Sequence, residues 1–139
     1  MRKTCVVMAE GQQTLLNSIK NLLEPHVEVA AMTDNVLSMI DSIRSLDPDI
    51  AIIHAVDLYR DHGATIKHLG RRFPDLDIII VGDVDDPEII TEVMTRNVKG
   101  YVHLQDASTQ LIPAVDAVFR GDMYPPAPEY LREDENGPP

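Results

Sequence analysis

The stretch Pro48-Asp-Ile-Ala-Ile-Ile-His-Ala-Val-Asp57 decides how the rest of the chain is read. Four apolar residues, opened by Pro-Asp and ending at a polar histidine, lie between two segments of helical periodicity. That pattern suits a short strand buried on both faces in the middle of a parallel sheet. In open parallel sheets the reacting groups sit where the carboxyl ends of the strands meet the following loops. His54 falls at that end, so the chemistry of the chain should be legible around it.

Working outward, residues 4–9 form a first strand, rich in β-branched side chains. From 12 to 24 a helix stripe runs through Leu15, Leu16, Ile19, Leu22 and Leu23, stopped by Pro25. A second strand covers 27–32. Asp34 can cap a second helix, with Val36, Leu37, Ile40 and Ile43 on one face, that ends before Pro48. Beyond the central strand, residues 57–63 read as a loop whose Asp57 and Asp61 are turn-formers. Ile66, Leu69 and Phe73 mark a third helix, and Asp77-Ile-Ile-Ile-Val81 a fourth strand left through Gly82.

Asp86-Pro87-Glu88 has the chemistry of a helix start: a capping carboxylate, proline at the first position, then an acid favoured by the helix dipole. Its apolar stripe is Ile89, Ile90, Val93 and Met94. Lys99-Gly-Tyr-Val-His103 is a fifth strand. A last helix carries Leu111, Ile112, Val115, Val118 and Phe119 on one side and stops at Gly121. Pro113 places its start nearer Leu111 than Ser108. Strands alternating with helices across short loops predict an α/β fold, a doubly wound (βα)5 sandwich on a parallel sheet. The domain is expected to span residues 1–121. Residues 122–139, with five of the ten prolines and an acidic excess, read as a tail or linker.

The 139 residues are 44% hydrophobic and 25% charged, ordinary for one folded domain. A net charge of −11 argues against this segment gripping a phosphate backbone, because Lys and Arg supply that attraction. The single Cys5 cannot form an internal disulfide and reads as a small buried hydrophobe. The chain opens without a signal-peptide pattern and has no apolar run near the roughly 20 residues of a membrane span, which points to the cytoplasm.

Several short motifs accompany this layout: Leu22-Leu-Glu, Leu46-Asp-Pro-Asp-Ile, Phe73-Pro-Asp, Gly100-Tyr-Val followed by Asp106-Ala-Ser, and Ala117-Val-Phe-Arg-Gly-Asp-Met-Tyr. With them the chain resembles a response-regulator receiver domain, CheY-like, of the NarL/FixJ/LuxR branch that carries a C-terminal helix-turn-helix. The resemblance covers roughly residues 3–130. It implies a flavodoxin-like sheet of order 2-1-3-4-5 and, in the family, transfer of a phosphoryl group to an aspartate assisted by Mg²⁺. Two acids after the first strand would hold the cation. An aspartate ending the third strand would accept the phosphoryl group, and a hydroxyl after the fourth strand and a lysine after the fifth would stabilise its oxygens.

Carried over residue by residue, the resemblance implies a degenerate site. The acid pair falls on Glu10 and Gly11, the acceptor on His54, the hydroxyl on Gly82, and the lysine on Leu104 or Gln105. Nucleophile, hydroxyl and counter-charge are all replaced, so Mg²⁺ is not expected to bind well. Tyr101 keeps the family's switch-aromatic position, but Gly82 lacks the hydroxyl it would couple to. The expected function is that of a non-enzymatic regulatory domain of an atypical response regulator. It would act through protein contact as a homodimer, with a DNA-binding helix-turn-helix domain outside this chain.

Three readings of His54 stay open: a histidine filling the vacated pocket, a phospho-acceptor, or a metal ligand with His103 and Glu10. A metal- or metabolite-sensing pocket and a stand-alone interaction module are the rival functions. His62 and His68, six apart, do not share a helical face and read as surface residues. Asp83 and Asp85 read as solvated beside the capping Asp86.

Overall fold

The computed structural model describes residues 4–9, 13–33, 36–54, 61–94 and 98–125. Strands β1 (Cys5–Ala9), β2 (Glu28–Thr33), β3 (Ile50–His54), β4 (Asp77–Gly82) and β5 (Val98–His103) form one parallel sheet of order β2-β1-β3-β4-β5. Helices α1 (Gln13–Leu23), α2 (Val36–Leu46), α3 (Asp61–Arg72), α4 (Pro87–Val93) and α5 (Ala107–Phe119) alternate with them. This is the doubly wound α/β sandwich expected from the alternation of periods.

The two faces of the sheet separate by the period of two along each strand. Val6, Met8, Ile50, Ile52, Ile79 and Val81 point to one face and pack with Ile19 and Leu23 of α1 and Leu111, Val115 and Val118 of α5. Val7, Ala51, Ile53, Ile78 and Ile80 point to the other, with Met39 and Ile43 of α2 and Ile66 and Leu69 of α3. Every residue of β3 is buried, and so are Ile78 to Gly82 of β4. Each large apolar side chain buried in this way contributes about 1.5–3 kcal/mol.

The sheet is irregular where it matters for the site. Ile78 pairs with Val98 but Ile79 with Gly100, so β5 bulges at Lys99. The bulge puts Val98 and Tyr101 on the same face and turns Gly100 toward α5. Thr4 and Asp49 tie the amino ends of β1 to its neighbours: Glu28 N–H donates to Thr4 O and Cys5 N–H to the Asp49 carboxylate, both within 2.9 Å. Cys5 is half-buried there, less enclosed than a core hydrophobe.

Helix boundaries follow the expected chemistry in most places. Asp86 caps α4 by accepting Glu88 N–H at 2.9 Å, with Pro87 in the first turn. The stripe on α4 is only half-buried at Ile89, Ile90 and Met94. Asp47 leaves α2 with φ 47°, a left-handed conformation that aspartate tolerates, ahead of buried Pro48.

Four expectations need correction. Helix α3 begins at Asp61, not after Gly63, because an acid at the amino end complements the helix dipole. Leu37 is 76% exposed rather than part of the α2 stripe: it lies about 200° around the helix from buried Met39. Helix α5 begins at Ala107, after a 3-10 turn at Leu104–Asp106, and runs through Pro113. Pro113 is exposed, so its ring faces solvent, and the apolar contacts of Leu111 and Ala114 on either side offset the lost N–H. Phe119, at the other end of α5, is 49% exposed because the buried stripe there runs through Ala114, Ala117 and Val118.

Gly121, with φ 94°, ends α5 in a backbone conformation suited to glycine. The chain then turns back to the sheet, and Tyr124 forms a parallel bridge with Gly100. Ordered pairing thus continues three residues past 121, while residues 126–139 of the expected tail lie outside those described.

At Gly100 the sheet lies close against α5. A Cβ there would stand 3.0 Å from Ile79 Cγ1 and 3.4 Å from Val118 Cγ2. Both neighbours are fully enclosed and have little room to retreat. Gly100→Val is therefore expected to destabilise the fold by about 1–3 kcal/mol, the usual cost of overpacking, and Gly100→Ala by less. Thermal or urea denaturation of the two variants checks the order.

Candidate functional site at the carboxyl rim

The register brings the candidate residues together at one rim. Ala9 of β1 pairs with Ile53, His54 with Val81, and Gly82 with His103. The ends of β1, β3, β4 and β5 therefore lie side by side. Glu10 and Gly11, the expected acid pair, lie outside the described residues, as does Asp57.

Among the described residues His54 is the buried polar side chain of the core, 9% exposed, and it closes β3. Gly82 is buried and supplies no hydroxyl. Leu104, the first candidate for the lysine position, packs against the apolar cluster under α5. Gln105, the second, is exposed, and its N–H donates to His103 Nδ1 at 3.1 Å. Among the described residues, the loops at 83–86 and 104–106 carry Asp83, Asp85, Asp86 and Asp106 and no Lys or Arg. This part of the rim is anionic, the wrong sign for a phosphoryl group.

His103 is committed on both nitrogens. Nδ1 accepts from Gln105, so the proton sits on Nε2, which donates to Asp85 Oδ1 at 3.0 Å. Alternation along β3 and β5 also assigns His54 and His103 to opposite faces, His54 with Ile52 and His103 with Tyr101. Among the described residues no three His, Cys, Asp or Glu side chains are grouped to hold a metal ion. His68 is exposed on α3, and the side chain of His62 lies outside those described.

Tyr101 is 4% exposed, with its ring in the cluster under α2 and α3. Its hydroxyl accepts the N–H of Val84 at 2.8 Å. The hydroxyl of Tyr101 therefore has a backbone partner, an amide of the 83–86 loop. Nothing in the sequence pointed to Val84, since a backbone donor has no residue signature. The pairing of Tyr101 and His103, two apart on one strand face, was the available signal that β5 grips this loop.

No family model matches this chain. The transcriptional regulatory protein RcsB of Escherichia coli K12 is 28% identical over 131 residues, covering 91% of this chain and 61% of RcsB. The isolated receiver (REC) domain of RcsB from Salmonella enterica serovar Typhimurium, solved with phosphomimetic BeF₃⁻, superposes with a TM-score of 0.76 at 28% identity. The match covers 88% of this chain and 92% of that domain. The chain is a homologue of response-regulator receiver domains.

A structure of two RcsB dimers bound to two parallel DNAs matches with a TM-score of 0.76 at 28% identity, covering 88% of this chain and 63% of that one. The chain thus spans about three-fifths of the length of the curated RcsB it matches. None of its described helices is long and apolar enough to cross a membrane.

Burial pushes the Tyr101 phenol above its ordinary value near 10; the Val84 N–H opposes that shift, and Asp83 and Asp85 add to it. At the opposite rim, burial likewise raises the Asp77 carboxyl, with Lys99 opposing. For the phenol, the unfolded chain releases its proton first. The associated stability is complete below about pH 10 and falls as pH rises through the folded-state value. Denaturation curves at about pH 9 and 11 should show wild type losing more stability across this interval than Tyr101→Phe. Equal losses would place the raised phenol elsewhere.

Proposed function

We propose that this domain is the regulatory receiver of an atypical response regulator, acting through protein contact without aspartyl phosphorylation. The observation that carries the reading is His54, a buried imidazole at the end of β3 where the family's acceptor carboxylate would stand. Gly82 and Leu104 support it, since they leave the neighbouring strand ends without a hydroxyl or a cation. The domain itself performs no catalysis on this reading. Mg²⁺ binds weakly at best, because the hard cation needs oxygen ligands and Glu10 is the one acid left of the pair.

The partner would be a second copy of the domain, a reading supported by the RcsB dimers bound to DNA, and a helix-turn-helix domain elsewhere in the protein would contact DNA. The net charge of −11 is consistent with that division of labour, since the DNA-contacting surface must be cationic. The protein would work in the cytoplasm as a regulator of transcription.

Incubation with acetyl phosphate and Mg²⁺ should leave the intact mass unchanged and yield no hydroxylamine-sensitive adduct. A stoichiometric phosphate adduct that hydroxylamine removes would reject the proposal. Light scattering should find dimer at micromolar concentration whether or not acetyl phosphate is present. A dimer that appears only with the phosphodonor would equally reject it.

A further inference from the structure

The amino rim of the sheet, opposite His54, carries a groove of its own. The carboxyl ends of α2, α3 and α5 arrive there beside the first residues of β3 and β4. Between the ends of α2 and α3 lies a cleft of about 490 Å³. Its floor is apolar, made of buried Ile43, Pro48 and Leu76 with the half-buried ring of Phe73. Arg44 and Arg72, both exposed, stand on its α2 and α3 sides. Arg44 has a 3.7 Å ion pair with Asp41 of its own helix, and an exposed pair of that kind is weak enough to exchange.

A second cleft, of about 290 Å³, adjoins the first and shares Asp47, Pro48 and Asp75 with it. Asp49, Asp77 and the half-exposed ring of Phe119 line its far side. The charge has changed sign here, from guanidinium to carboxylate. Asp49 accepts the Cys5 N–H at 2.8 Å, and burial raises the Asp77 carboxyl while Lys99 opposes that shift. Both observations mark a place where a further cation would be welcome. The two clefts form one groove with a cationic end, an apolar floor and an anionic end.

We propose that this groove docks an extended segment of a partner protein that carries an acidic residue, a large apolar residue and, after a short spacer, a lysine or arginine. The apolar side chain fills the first cleft and displaces water from its floor, the usual source of affinity in such pockets. The neighbouring acid meets Arg44 and Arg72, whose planar donors match a carboxylate. The basic side chain lays its stem along Phe119 and its charge among the aspartates. Opposite charges at the two ends fix the direction in which the segment lies. Two joined clefts of different chemistry suit a chain with several side chains better than a single small ligand. The groove lies on the rim opposite His54 and involves no phosphoryl chemistry, so its test is independent of the acetyl phosphate test.

Amide NMR titration of the full chain tests it with capped peptides of sequence Glu-Leu-spacer-Lys, the spacer being one, two or three glycines. At least one probe should shift the amides of Arg44, Leu76, Asp77 and Phe119 saturably, with Kd of about 1 mM or below. Exchanging Glu and Lys in that probe, or replacing Leu by Ser, should weaken it several-fold. Arg72→Gln should weaken it about 2- to 5-fold, the size of an exposed ion pair, and Asp77→Asn at least as much. A probe with Gln for Glu should bind Arg72→Gln and wild type alike, and one with norleucine for Lys should not tell Asp77→Asn from wild type. A purely structural effect of either substitution would weaken charged and neutral probes equally and would overturn the proposal. So would the absence of saturable shifts with all three spacers, or shifts centred on Val84 and His103 at the other rim. Shifts of the groove amides on concentrating the protein alone would make the occupant a second copy, and overturn it too.

Discussion

A strand such as Ile50–His54, buried along its whole length, must have apolar layers above and below it and hydrogen-bonding strands on both sides. That requirement places most of the molecule. β1 and β4 flank β3, the α1/α5 pair covers one face, and α2 and α3 cover the other. The crossovers between parallel strands then deliver every carboxyl end to the same rim. The candidate site is a consequence of that arrangement: its residues are far apart in sequence and adjacent because the strands are in register.

On the reading proposed above, what reaches the rim is chemically unlike a phosphoryl site. A cation about 4 Å from a phosphoryl oxygen contributes on the order of 4 kcal/mol per unit charge near a protein surface. Leu104 contributes nothing of that kind, and the acids of the 83–86 loop act in the opposite direction. An imidazole enclosed at the end of β3 and a glycine at the end of β4 stand beside it. The proposed regulatory role through protein contact would account for these residues together.

The same loop is nevertheless held in place. Val84 is bonded to Tyr101, Asp85 to His103, and Asp86 caps α4, so three successive residues each have an anchor of a different kind. The β4–α4 connection is thus held at three successive residues, two of them by β5. The Tyr124 bridge on the other side of β5 makes that strand the shared support of the loop and of the outgoing segment.

The fold was legible in the sequence because burial writes a period: two on the strands, 3.6 on the helices, with Pro and Gly marking the ends. The residue types at the strand ends were legible as well, once the strands were placed, because the sequence names them directly. Periodicity misplaced Leu37 and Phe119, since an apolar residue beside a buried stripe reads like a member of it until packing decides. It also shortened α5 at Pro113, whose missing N–H is tolerated when the ring faces solvent and the flanking turns are packed. Composition and spacing alone determined the alternating architecture, the central strand and the placing of His54 at its carboxyl end. Only the tertiary structure decided what holds Tyr101, which way Gly100 faces and where the chain goes after Gly121. Those depend on a strand bulge and on backbone donors and acceptors, which every residue carries alike and no side-chain pattern records.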